Sequence, residues 1–113
     1  LAGITKASYQ QGHAFLGQYA EAPRPYVFGF RGRMDERIDM VRSVRSARYT
    51  YLRQYHPHRI YGQHVNYMFE MPTVQEWKRV YDEGKATPAQ KHFWERKPLE
   101  ELYDLEKDPD EVN

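Results

Sequence analysis

The stretch YVFGFRGRMDERIDMVRSVRSARYTYLRQY, Tyr26 to Tyr55, decides the fold class. Tyr26, Phe28 and Phe30 alternate with Val27, Gly29 and Arg31, the period-2 pattern of a strand over Tyr26–Arg31. Gly32 then permits a turn or bulge. A second strand is expected over Ile38–Ser46, with Ile38, Met40 and Val44 on one parity and Val41 on the other. The third run, Tyr49–Tyr55, places Tyr49, Tyr51 and Tyr55 on one face and Thr50 and Leu52 on the other. The Tyr face reads as the core side of the sheet. The short join Ser46–Arg48 predicts a hairpin between the last two runs, and Pro57 closes the third.

On the C-terminal side the pattern changes to a helical one. Val74, Trp77 and Tyr81 form a stripe over Val74–Glu83, with Thr73 as N-cap, Glu76 at N3 and Gly84 after the end. A second short helix starts at Pro88 behind the N-cap Thr87, carries Phe93 and Trp94, and stops at Pro98. Glu101–Leu105 reads as a strand returning to the sheet, and Asp108, Pro109 and Glu111 as the first turn of a further helix. On the N-terminal side, Thr5–Pro25 is punctuated by Gly12, Gly17, Pro23 and Pro25 and reads as an extended connector. Leu1–Ile4 looks like the end of a helix, with Gly3 at C′. The order predicts an α+β fold: a small antiparallel sheet of about four strands with helices packed on one face. The chain, 1–113, is one unit, and both its ends look cut from something longer.

Composition narrows the function classes. Aromatic residues make up 15% of the chain, too many for a disordered segment. No apolar run approaches the length needed to span a bilayer, so no membrane role is expected. There is no Cys, which excludes disulfides, thiolate metal sites and a Cys nucleophile within these residues. Net charge is +1, but Arg24–His64 holds nine Arg against three acids, whereas Val65–Asn113 holds seven Lys or Arg against twelve acids. Either the basic middle faces an anion such as a sulfated sugar, a phosphate or a nucleic acid, or its charges pair with the acidic tail.

Arg31, Arg33 and Asp35 are the sharpest pocket candidates, because they sit at a strand end beside Gly32 and a guanidinium fork suits sulfate or carboxylate oxygens. Salt bridging with Glu36 and Arg37 is the competing explanation. Gln63 and His64, in a loop after Gly62, are weaker candidates. His56, His58 and His64 have no acid nearby in sequence, so they read as surface or pocket-edge histidines and no metal site is expected. Tyr and Arg interleaved over Arg42–Arg59 also suit a single-stranded nucleic-acid platform. The core assignment of the Tyr face argues against that, so no nucleic-acid partner is expected.

Three segments together resemble the C-terminal subdomain of bacterial sulfatases, in the branch related to arylsulfatases and heparan N-sulfatases. They are LAGITKASYQQGHAFLG (Leu1–Gly17), RGRMDERIDMVRSVRSARYTYLRQY (Arg31–Tyr55) and the closing ELYDLEKDPDEVN (Glu101–Asn113). The last is similar to the E-L-Y-D-L-x-x-D-P-x-E-x-x-N ending of many sulfatases. Thr50 and His13 depart from the family pattern. The resemblance implies a parent that hydrolyses sulfate esters or sulfamates with a formylglycine and a calcium ion, often periplasmic or secreted. It also implies that this subdomain packs on a large N-terminal domain and forms part of the rim of the substrate pocket, which would make Arg31, Arg33, Asp35, Gln63 and His64 rim residues.

The formylglycine motif, C/S-x-P/A-x-R, is absent: Ser43-Val-Arg-Ser-Ala and Ser46-Ala-Arg-Tyr-Thr both fail it. No catalytic residue, metal ligand or cofactor is therefore assigned to these residues. The implied partners are the missing N-terminal sulfatase domain and a sulfated carbohydrate, with self-association through an exposed apolar face when that domain is absent. The alternative is a stand-alone module that binds polyanions or sulfated glycans. The leading expectation predicts no release of chromophore from an aryl sulfate by the 113-residue chain with added calcium. Clear turnover by freshly purified protein would show chemistry here without formylglycine.

Overall fold

Asp39 holds the fold together from the middle of the sheet. The computed structural model describes residues 3–112. Four strands, β1 (Val27–Met34), β2 (Arg37–Arg45), β3 (Tyr49–Gln54) and β4 (Glu100–Asp104), form an antiparallel sheet in the order β1-β2-β3-β4. Between β3 and β4 lie α1 (Asn66–Phe69), α2 (Pro72–Asp82), α3 (Pro88–Lys91) and a 3-10 turn, His92–Trp94. This is the expected α+β architecture, and β4 does return to the sheet beside β3. Residues 4–26 form no strand or helix and lead into β1.

Two tight turns set the register. Asp35-Glu36 joins β1 to β2, with Asp35 in the left-handed region at φ 46°. Ala47-Arg48 joins β2 to β3, closed by the Ser46 N–H on the Tyr49 carbonyl at 2.9 Å. The pairing shifts by one residue between Arg31↔Val41 and Arg33↔Ile38, so Asp39 and Met40 together oppose Gly32. Asp39 shares the parity of the buried Val41 and so points under the sheet beside Arg31, where it is almost wholly buried.

The covered face of the sheet is polar. Both Asp39 oxygens accept from Lys97 Nζ, at 2.6 and 2.7 Å, and neither side chain reaches solvent. Beside this pair the buried Glu101 carboxylate accepts from the Tyr61 hydroxyl (2.5 Å), Gln54 Nε2 (2.7 Å) and the Tyr103 hydroxyl (3.0 Å). Lys97 follows the 3-10 turn and Tyr61 follows β3, so these contacts bring the helical part of the chain to one face of the sheet. The helical part has its own aromatic core. Trp94 is buried, with Trp77 stacked on Phe93 at 4.7 Å and edge-on to Trp94 at 5.5 Å. Gly62 allows close approach to it: a Cβ there would lie 2.8 Å from the Phe93 and Trp94 rings.

The other face is open and apolar. Phe28, Phe30 and Leu102 are 76%, 83% and 65% exposed, and Tyr49 and Tyr55 are exposed as well. The Tyr face is therefore not the core side. Thr50 and Gln54 are the buried positions of β3, and Gln54 Nε2 donates to the Tyr61 hydroxyl and the Glu101 carboxylate on that side.

Three local expectations change. The first helix begins at Pro72 with Met71 as N-cap, not at Val74 with Thr73 as cap, since proline suits N1 by its fixed φ and missing N–H. Glu76 pairs with Arg79 instead of closing a capping box. Thr87 caps α3 as expected, in a capping box with Gln90. Asp108–Glu111 forms a turn and no helix, as Glu111 takes a left-handed φ of 54°. The helix end expected at Leu1–Ile4 falls partly outside the described residues, although Gly3 has the left-handed φ of 69° that a C′ position needs.

Removing one partner of a buried ion pair leaves an uncompensated charge, at a cost of about 3–5 kcal/mol. Lys97→Met should therefore lower unfolding stability by about that much in denaturant titration. The double change Asp39→Leu with Lys97→Met should recover most of the loss. Equal destabilisation by single and double variants would show that the pair is not the fold's tie.

Candidate functional site

A cleft of about 270 Å³ lies between the β1–β2 turn, the loop after Tyr61, α1 and Phe93. Each wall has a local cause. The turn at Asp35-Glu36 forms the β1–β2 tip, Gln63 donates to the Ile38 carbonyl at 3.3 Å, and the Gly62 contact brings Phe93 close behind the loop. Arg31, Arg37, Tyr61, Gln63 and Tyr67 supply the polar lining. Met34, Val65, Met68, Met71 and Phe93 supply the apolar lining. Arg31 and Tyr61 also line a second cavity of about 320 Å³ over the covered face, with Asp39, Ser43 and Leu52.

Of the five sequence candidates, Arg31 and Gln63 line the cleft; the other three do not. Arg33 Nε donates to the Asp35 carbonyl at 2.6 Å and so braces the turn. The Asp35 carboxylate accepts from the Tyr67 phenol, which holds that phenol above its usual pKa, and so reaches the cleft only through Tyr67. His64 pairs its ring with Asn66 at 3.0 Å and packs on Phe69 at 4.4 Å. Its carbonyl accepts from Arg37 Nε, so His64 positions Arg37. Sequence reasoning missed Arg37, Tyr67 and the methionines. The available signal was the closeness in sequence of Tyr67, Met68 and Met71, the first two in α1 and Met71 the N-cap of α2.

The charge asymmetry of the sequence resolves into two regions. At the β4 side, Arg48 forks onto Asp104 at 2.9 and 2.6 Å, and Arg53 meets Glu100 at 2.8 Å. The acidic tail thus answers much of the basic middle. The hydrogen bond from Arg48 holds the Asp104 carboxyl below its usual pKa. At the cleft, by contrast, Arg31 makes only a 3.9 Å approach to Asp39, which Lys97 already holds more closely. No metal donor set replaces it. Asp39 is spent on Lys97 and Asp35 on Tyr67, and among the described residues no group of three or more His, Asp or Glu side chains comes together. These residues do not fit a calcium ion. No helix among the described residues is long and apolar enough to cross a membrane.

What the fold and cleft define is an α+β unit with a groove that sets Arg31 and Arg37 beside three methionines. No known family profile matches the chain. It is, however, similar to the ulvan-active sulfatase of Formosa agariphila, 40% identical over 111 residues. That match takes in 97% of this chain and 19% of the sulfatase, so the chain spans about a fifth of the length of the curated relative it matches. The chain is thus similar to a piece of a sulfatase.

Burial, and then the hydrogen bond to Glu101, push the Tyr61 phenol far above the usual tyrosine value of about 10. Burial does the same at Tyr103. A raised folded-state pKa contributes stability that is fully present below the unfolded value and is lost as pH rises towards the folded one. Phenolate absorbance should accordingly show Tyr61 and Tyr103 silent through the ordinary tyrosine range, with stability falling above pH ~10. Tyr61→Phe should remove one late-titrating group; an unchanged count would contradict the assignment.

Proposed function

We infer that this chain is the C-terminal, noncatalytic part of a sulfatase, a sulfuric ester or sulfamate hydrolase in the branch of arylsulfatases and heparan N-sulfatases. The observation that carries this reading is the 40% identity along 97% of the chain. The nucleophile and calcium site then belong to the remainder of the enzyme. The open face of the sheet, with Phe28, Phe30 and Leu102, supports a seat for that remainder, since soluble proteins seldom leave a large apolar patch uncovered. Uncovered, the same face favours self-association. The cleft contributes to the rim of the substrate pocket. Arg31 offers a planar fork to a sulfate or carboxylate of a bound sulfated carbohydrate, and Gln63 offers an amide beside it.

A second reading, a stand-alone module for sulfated glycans, is favoured by guanidinium–aromatic pairs at the sheet. Arg42 lies over Phe30 at 5.8 Å and Arg53 over Tyr55 at 5.7 Å. The gene separates the two. A C/S-x-P/A-x-R motif upstream in the same reading frame is expected on the first; a start and stop codon bounding these residues would overturn it. In the longer enzyme, Arg31→Ala should raise KM for a sulfated polysaccharide about tenfold with kcat nearly unchanged, the mark of lost ground-state binding. An unaltered KM would remove Arg31 from the rim.

A further inference from the structure

Two of the five histidines have partners: His13 lies 3.5 Å from Glu21, and His64 pairs with Asn66. His92 is exposed and stands alone. His56 and His58 differ from all three. Their rings meet edge-on, with centroids 5.5 Å apart and planes at 75°. Neither ring makes a hydrogen bond or an ion pair among the described residues, so each neutral imidazole keeps one nitrogen lone pair free. The turn that carries them is braced. Pro57 fixes φ between them, and the Arg59 N–H closes the turn on the His56 carbonyl at 3.0 Å. The Pro57 carbonyl accepts from the Lys97 N–H at 3.2 Å, and the Arg59 guanidinium donates to the Ile38 carbonyl at 2.9 Å. Lys97 is itself locked by Asp39, so the turn is tied to the buried ion pair and little order has to be gained when a ligand arrives.

Two imidazoles on one tetrahedral zinc ion, with Zn–N about 2.0–2.1 Å, have ring centroids about 5 Å apart. A small rotation of the rings about χ2, a soft torsion, brings the observed spacing to that value. No third His, Asp or Glu joins them among the described residues, and the next residue is the cationic Arg59. Such a pair does not attract a cation by charge. It selects ions that bond well to imidazole, such as zinc, over calcium and magnesium, which take oxygen ligands. We propose that His56 and His58 bind a divalent ion of the zinc type through one nitrogen each, with water or an external carboxylate in the remaining positions. An ion held this way keeps open coordination positions, unlike a structural four-ligand site. The proposal is independent of the sulfatase reading.

The histidine ring resonances of the 113-residue chain test this directly during titration with zinc chloride. His56 and His58 should shift together and saturate at one ion per chain. His92, the lone exposed imidazole, should respond only at zinc concentrations about tenfold higher or more, because it has no second ring to chelate with. Calcium in excess should leave both rings unmoved. His56→Ala and His58→Ala should each weaken zinc binding about tenfold or more, with the backbone amide spectrum otherwise unchanged, since both side chains reach solvent. Equal responses of His56, His58 and His92, undiminished binding by either variant, or equal occupancy by calcium would each overturn the proposal.

Discussion

The Asp39–Lys97 ion pair is the constraint on which the arrangement of the chain depends. Its two side chains are 58 residues apart in sequence and almost without solvent contact. A buried pair of this kind adds little to stability relative to a well-packed apolar pair, but neither member tolerates loss of the other. It thus acts as a registration device. Alternation along β2 places Asp39 under the sheet, and the Lys97 ammonium group that reaches it fixes the segment following Trp94. The Tyr61, Gln54, Glu101 and Tyr103 network provides a second tie next to the first. Once both are made, the loop from Tyr61 to Val65 has little choice of path, and the cleft follows.

The two faces of the sheet invert the usual division, in which the covered side is apolar and the open side polar. Here the covered side carries the buried acids, Lys97 and the tyrosine hydroxyls, while Phe28, Phe30 and Leu102 face outward. The inversion has an electrostatic counterpart. Salt bridges across β3 and β4 absorb the arginines at one side of the sheet, where their exposed setting makes each worth little. At the β1–β2 tip the acids are engaged by other partners, and Arg31 retains its charge beside an apolar recess. The unit therefore has two distinct surfaces, an open apolar sheet face and a cleft that sets an arginine beside methionines.

Strand alternation, the short join Ser46–Arg48 and the returning ELYDL segment were enough to predict a four-stranded antiparallel sheet with helices, because these depend on local period and turn chemistry. The same residues carried the resemblance to sulfatases, and the absence of Cys and of a formylglycine motif removed the nucleophile from consideration. Arg31 and Gln63 were legible as site residues for a physical reason, since both follow or precede a glycine at the end of a strand or in a loop.

Which face of the sheet is covered was not legible. Alternation gives two faces and does not say which one the rest of the chain will meet, and here a lysine and a tyrosine from distant segments chose the polar one. Arg37 and Tyr67 entered the site for the same reason: they are 30 residues apart, and only the packing of α1 against the β1–β2 tip joins them. Arg33, Asp35 and His64 lay in the right place along the chain but were drawn into bracing the turn, the phenol and the arginine beside them. Sequence alone determined the strands and the β2–β3 turn, which are fixed by neighbours in the chain. Tertiary structure decided the core face and the composition of the cleft, because those depend on which buried charges find each other across 58 residues.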